Sequence, residues 1–238
     1  MDDLPCVSIC MPIYNRNQWK PLIYFNLAGF TYPKEKIEFC IDDDGTETFF
    51  FSEEEKELFI QLIAPIKLNY YYRDFKRDIG TKRNNLVKIA THKIIVCMDS
   101  DDIYLPGFVE YAVKTMIDKK VSCVGSNQML FLYPFHNFDA TAIRCKSKRQ
   151  IHEASMCFTK KHHRSMGGFK STSQGEGSKM ADFNEKNVEL LDIEKCMVCI
   201  CHNENTIPKD QFHNDTQKVD MELSDLCKNL IKHILRIE

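Results

Sequence analysis

Four short apolar runs, "VSICMPI", "KIEFCID", "IKLNYYY" and "KIIVCMD", alternate with helical patterns along the first part of the chain, and this alternation constrains the fold more than any other feature. Unbroken apolar runs of strand length suit strands buried on both faces, as in parallel sheets. Between them, "NRNQWKPLIYFNLAGF" reads as a helix bent or restarted at Pro21, and "SEEEKELFIQLI" and "TKRNNLVKIATH" read as two more. Ser52 and Glu55 have the spacing of a capping box at the start of the second. The expected architecture is α/β: a doubly wound, mostly parallel sheet whose ligands bind beyond the carboxyl ends of the strands. Tyr14, Asp43 and Asp99 fall at such ends, so three polar groups distant in sequence should meet at one crevice.

After Pro106, "GFVEYAVKTMIDKK" is helical and "VSCVGS" is a further strand. From "QMLFLYPF" through "EASMCFTKKHHR" the pattern turns mixed. Residues 1–102 are expected to form a half that carries the crevice, and residues 103–202 a half of the same domain that builds a second substrate's site. "GGFKSTSQGEGS" reads as a flexible glycine-rich loop and "CMVCICH" as one more strand. Residues 203–238 read as a polar linker, to about 220, and an amphipathic helix with Leu223, Leu226, Leu230, Ile234 and Ile237 on one face. That face suits its own domain, a partner such as a second copy of the chain, which would give a homodimer, or a membrane surface.

Composition removes several function classes. A formal charge of −2 gives no general affinity for nucleic acid. No run approaches the ~18 apolar residues of a membrane span, and the acidic start "MDDLPCVSIC" lacks the pattern of a secretory signal, so the expected location is cytoplasmic. Eleven cysteines, an odd number without framework spacing, suit reduced core thiols.

The chemistry concentrates in "VCMDSDDIY". Asp99 and Asp101 stand two residues apart, and like charges at roughly 4 Å repel by about 4 kcal/mol at an effective dielectric of ~20. A positive partner is therefore expected there, and removing one charge by Asp101→Asn should raise stability slightly in metal-free protein. An EF-hand loop is excluded, because Ile103 and Tyr104 occupy the fifth and sixth positions counted from Asp99. Cys196, Cys199, Cys201 and His202 superficially suggest zinc, but their spacing along a strand splits them between two faces. His152, His162 and His163 read as surface or acceptor-side residues.

Taken together, "VSICMPIYNR", "IDDDGT", "GTKRNNLVKIATHKIIVCMDSDD" and "GGFKSTSQGEG" resemble the GT-A glycosyltransferases, especially those of family 2 and the compact versions of large DNA viruses. The resemblance implies a nucleotide-sugar donor, usually a UDP-sugar, a glycan or protein hydroxyl as acceptor, and a divalent cation, Mn2+ or Mg2+, at a D-x-D motif formed by Asp99 and Asp101. It implies a nucleotide site of Pro12, Tyr14, Asn15, Arg16, Asp43, Arg83, Asp99 and Ser100, with Tyr14 and Asp43 on the base and Arg83 along the nucleotide. A late histidine, here His202, is implied as a further metal ligand. In inverting relatives an acidic pair supplies the general base. In "QGEGSKMADF" the glutamate is Glu176 but its neighbour is Gly177, so Glu176 and Asp182 are both candidates and a retaining reaction is also open. Two rivals are a sugar nucleotidyltransferase, disfavoured because "MPIYNRNQW" has no phosphate-binding glycine, and a non-catalytic nucleotide- or glycan-binding module.

Overall fold

A computed structural model describes residues 4–144, 150–181, 185–209, 211–214 and 217–237. Its strands are β1 (Val7–Ile13), β2 (Ile37–Asp43), β3 (Lys67–Tyr72), β4 (Ile94–Cys97), β5 (Asp102–Tyr104), β6 (Cys123–Gly125), β7 (Gln128–Tyr133), β8 (Asp139–Arg144), β9 (Cys157–Thr159), β10 (Val188–Leu190), β11 (Met197–Ile200) and β12 (Gln217–Val219). The helices are α1 (Lys20–Gly29), α2 (Glu53–Ile63), α3 (Ile79–Ile89), α4 (Phe108–Lys119), α5 (Lys160–Ser165), α6 (Gln211–Asn214) and α7 (Asp225–Leu235).

β1 is apolar on both faces because it lies inside a sheet, with parallel partners β2 and β4 on its two sides. Its alternate residues serve different layers. Val7, Ile9, Met11 and Ile13 join one core with Leu22 of α1, Phe59 of α2 and Val109 of α4, while Cys10 faces a second core with Leu86 and Val87 of α3. The strand period of two thus sorts one sequence run between two helical layers. Helix starts follow local chemistry. Ser52 accepts a hydrogen bond from the Glu55 N–H at 3.2 Å, and the Glu55 carboxylate reaches back to the N–H of Phe51, one residue before the cap.

The expected single sheet is corrected to two. One has the order β3-β2-β1-β4-β9-β6-β10, with β9 antiparallel to both β4 and β6; the other has the order β12-β8-β7-β11-β5. β7 and β8 pair antiparallel in the second sheet, and β9 lies antiparallel to β4 in the first. Within the stretch expected as a linker, Gln217–Val219 form β12, which pairs antiparallel with β8. On α7 the buried residues are Cys227, Ile231 and Ile234, whereas Leu226, expected on the buried face, is 68% exposed. The helix turns this face to α1. Among the described residues no helix is long and apolar enough to cross a membrane.

Candidate active site

The carboxyl ends of β1 and β4 and the first turns of α3 enclose a cavity of about 520 Å³. Pro12, Tyr14, Asn15, Arg16, Arg83, Asp99, Ser100 and Asp101 all line it, so eight of the expected nucleotide and metal residues converge. The lining also holds Lys76, Arg77 and Lys82, which makes five cationic side chains against three acidic ones, Asp99, Asp101 and Glu204. Arg77 and Lys82 are paired with Asp42 and Asp44, which lie outside the lining.

Arg83 organises the floor. It is 4% exposed, its Nη2 lies 2.8 Å from Asp99 Oδ1, and its Nε lies 3.0 Å from Glu176 Oε1. Its Nη1 is buried without a hydrogen-bond partner among the described residues. Burial works against its charge, but Asp99 leads the neighbours that hold its pKa well above the ordinary value. Asp101 is met from two sides, by His202 Nε2 at 3.0 Å and Arg16 Nη2 at 3.3 Å. Burial raises its pKa, yet the His202 hydrogen bond and the Arg16 charge prevail and hold it well below the carboxylate range. The crowded acids are thus compensated by protein cations and one imidazole. Asp102, buried between them and β11, is pushed up to about 7 by burial, with Lys209 opposing.

Several assignments change. Asp43 does not line the cavity: it accepts hydrogen bonds from the N–H groups of Gly45 and Phe49 at 2.9 and 2.7 Å and from the Tyr70 hydroxyl at 2.7 Å. Its carboxylate shapes the turn after β2, with both oxygens engaged by that turn and by Tyr70. Tyr14 does line the cavity, with Lys76 Nζ 3.9 Å from its ring centroid, so one face already carries a cation. His202 accepts the Glu204 N–H on Nδ1 at 3.2 Å, which places the proton on Nε2, facing Asp101. In that tautomer Nε2 donates to the Asp101 carboxylate while the Nδ1 lone pair accepts the Glu204 N–H. Among the described residues no group of three His, Cys, Asp or Glu side chains is placed to hold a metal ion. Asp99 and Asp101 both line the cavity; Asp99 is engaged by Arg83 through Oδ1, and Asp101 by His202 and Arg16 through Oδ2.

A second cavity, about 310 Å³, adjoins the first and shares Arg83, Asp99 and Asp101 with it. Met129, Phe131, Ile143 and Phe212 give it an apolar wall, and His152, Glu153, Glu176 and Lys209 supply its charged and polar groups. His152 lines this second cavity, and burial lowers its pKa to about 4. His162, by contrast, is a buried structural residue between the Ser122 hydroxyl and the Met180 carbonyl. Asp182 lies outside the described residues.

The glycine-rich loop after α5 is anchored. Asn84 of α3 donates to the Phe169 carbonyl at 2.8 Å and accepts from the Phe169 N–H at 2.9 Å, and the Gly80 N–H donates to Thr172 O at 3.0 Å. A Cβ at Gly80 would stand 1.8 Å from Lys170 O, so only glycine permits this approach. The local pattern missed Glu153, Thr206 and Lys209. The last two sit in a polar stretch that carries no period of strand or helix, and nothing in the spacing around Glu153 marks it out.

Residues 8–173 match the profile described as Glycosyl transferase family 2. Over 127 residues the chain is 27% identical to the UDP-Glc:alpha-D-GlcNAc-diphosphoundecaprenol beta-1,3-glucosyltransferase WfgD of Escherichia coli, covering 53% of this chain and 47% of that protein. Over 132 residues it is 27% identical to the glycosyltransferase AglE of Haloferax volcanii, covering 55% of this chain and 41% of that one. The chain thus spans less than half the length of these relatives. Similar folds include the mannosyltransferase PcManGT of Pyrobaculum calidifontis in complex with GDP-Man and Mn2+, at a TM-score of 0.65 and 19% identity over 89% of this chain and 60% of that one. S. aureus TarS in complex with UDP-GlcNAc has a TM-score of 0.63 and 12% identity over 84% and 60%.

Proposed function

Because the chain belongs to glycosyl transferase family 2, we propose that it transfers a sugar from a UDP-sugar to a hydroxyl of a glycan or protein acceptor, with a divalent cation, Mn2+ or Mg2+, at Asp99 and Asp101. The observation that carries this reading is Arg83: a buried guanidinium between Asp99 and Glu176, at the junction of the two cavities, with one nitrogen left unpaired. Guanidinium geometry suits phosphate oxygens, and Arg16, Lys76, Arg77, Lys82 and Arg83 all line the first cavity, which supports a diphosphate there. Bound to the two carboxylates, the cation would neutralise charge on the departing diphosphate. The protein's part is to hold the acids in place. His202 and Arg16 fix Asp101, Arg83 fixes Asp99, and Asn15 and Ser100 border the same space.

A UDP-sugar is favoured by the donor named for WfgD and by the ligand of TarS; PcManGT, which holds GDP-Man, supplies the alternative. The second cavity, with its apolar wall, suits the acceptor. Calorimetric titration of UDP and GDP, each with and without Mn2+, tests the reading. Cation-dependent binding of UDP above GDP is expected, and absence of binding to either would end it. UDP binding without turnover of any UDP-sugar would favour the non-catalytic module.

A further inference from the structure

Two glutamates line the second cavity, and the structure makes them unequal. Glu176 is 5% exposed, and its Oε1 is engaged by Arg83 Nε at 3.0 Å. Its carboxylate is part of the scaffold that holds Arg83 against Asp99. Glu153 stands in a 3₁₀ turn, Glu153–Ser155, just before β9, and is partly exposed to the cavity. Among the described residues it has no cationic partner within ion-pair distance; its Oε1 accepts one hydrogen bond, from the backbone N–H of Gly177 at 2.9 Å, and Oε2 is uncommitted.

Gly177 explains how Glu153 reaches this place. A Cβ at position 177 would lie 2.4 Å from Glu153 Cγ and 3.1 Å from Cδ. Any side chain there would occupy the volume that the glutamate now fills. The glycine beside Glu176 therefore admits a carboxylate from another part of the chain, and its N–H orients that carboxylate.

We propose that Glu153, and not Glu176, is the catalytic base that deprotonates the acceptor hydroxyl; the assignment rests on the glycosyl-transfer reading above. A base needs a lone pair within reach of the substrate proton, and Glu153 offers one on a carboxylate with no cationic partner among the described residues, whereas Glu176 is paired with Arg83. In the step, the hydroxyl proton passes to a Glu153 carboxylate oxygen and the hydroxyl oxygen bonds to the anomeric carbon. The bond from that carbon to the diphosphate breaks, its electron pair leaving with UDP, and Glu153 then returns the proton to water. A single displacement of this kind, with the acceptor in the second cavity and the diphosphate in the first, inverts the anomeric configuration.

The test uses the full chain with Mn2+, UDP-glucose or UDP-N-acetylglucosamine as donor, and water or octyl β-glucoside as acceptor, reading UDP release, product anomer and calorimetric UDP affinity. Glu153→Gln should bind UDP within about twofold of wild type and lose roughly 10²–10⁴-fold in turnover. Glu176→Gln should lower thermal stability and lose less turnover than Glu153→Gln. Should Glu153→Gln fail to fold, Glu153→Asp decides: a withdrawn carboxylate should slow turnover about tenfold or more with UDP affinity kept. Turnover near wild type in the folded variant, or a product of retained configuration, overturns the assignment while leaving the glycosyl-transfer reading intact. A wild-type chain that neither binds UDP nor releases it from these donors removes that reading, and the assignment with it.

Discussion

Arg83 shows how much one side chain can carry. It compensates Asp99 and the buried Glu176 together, so Arg83→Met strands two carboxylates in a poorly solvated site. Urea unfolding should show a loss of about 3 kcal/mol, since breaking a buried pair leaves an uncompensated charge. Adding Glu176→Gln should restore part of it, and an unchanged midpoint in Arg83→Met would mean that the pairs add nothing. Asp101 reverses an expectation drawn from charge spacing. Repulsion between Asp99 and Asp101 suggested that Asp101→Asn would stabilise metal-free protein, but His202 and Arg16 hold the Asp101 pKa below its unfolded value despite burial. A depressed carboxylate contributes stability above its unfolded pKa and loses it as pH falls through the folded one. Asp101→Asn should therefore lower metal-free stability at pH 7 by about 1–2 kcal/mol. The difference from wild type should vanish in strong acid, and a variant that melts higher at pH 7 would restore the repulsion account.

At the scale of elements, α3 and the loop after α5 act as one unit. The first turn of α3 accepts the loop backbone at Gly80, and Asn84 clamps Phe169 one turn later on the helix that carries Arg83. A methyl group at position 80 would stand 1.8 Å from Lys170 O, closer than any relaxation of one side chain can relieve. Gly80→Ala should cost about 1–3 kcal/mol, the usual range for overpacking, because backbone must shift. Since Ser173 of the same loop lines both cavities, UDP affinity should fall as well. Comparing urea midpoints and UDP titrations of Gly80→Ala with wild type checks both parts; an intact affinity would show that loop position and nucleotide site are independent. The glycines of this loop suggested looseness from sequence. In the structure Gly167 and Gly168 have φ values of +76° and +77°, which lets the chain turn back onto α3.

Across the whole molecule, buried titratable groups set opposing responses to acid. Burial lowers His152 and His163 to about 4, so both fold neutral and resist protonation. A histidine with a depressed folded pKa contributes stability above its unfolded value near 6.5 and loses it as pH falls. Asp102, raised to about 7 by burial, acts in the other direction and gains stability as pH falls through that value. His163 can be isolated, because its Nε2 lies 2.7 Å from Asn84 Oδ1 and its ring lies against Phe158 and Phe169. His163→Gln should remove about 1.4 kcal/mol per pH unit from the dependence of unfolding free energy between about pH 6 and 4. Urea titrations across that range check this, and an unaltered slope would mean that His163 titrates normally. The amino-acid sequence by itself determined the features that are local: strands β1 to β4, the Ser52 cap, and the placing of Tyr14, Asp99 and Asp101 at strand ends, since alternation and capping act over a few residues. It did not determine the second sheet, the pairing of Gln217–Val219 with β8, the withdrawal of Asp43 into its turn, or which acid meets which base. Arg83 and Glu176 are 93 residues apart, and Glu153 and Gly177 are 24 apart. Charge pairing and steric exclusion depend on distance in space and on loss of water, and only the tertiary structure sets those.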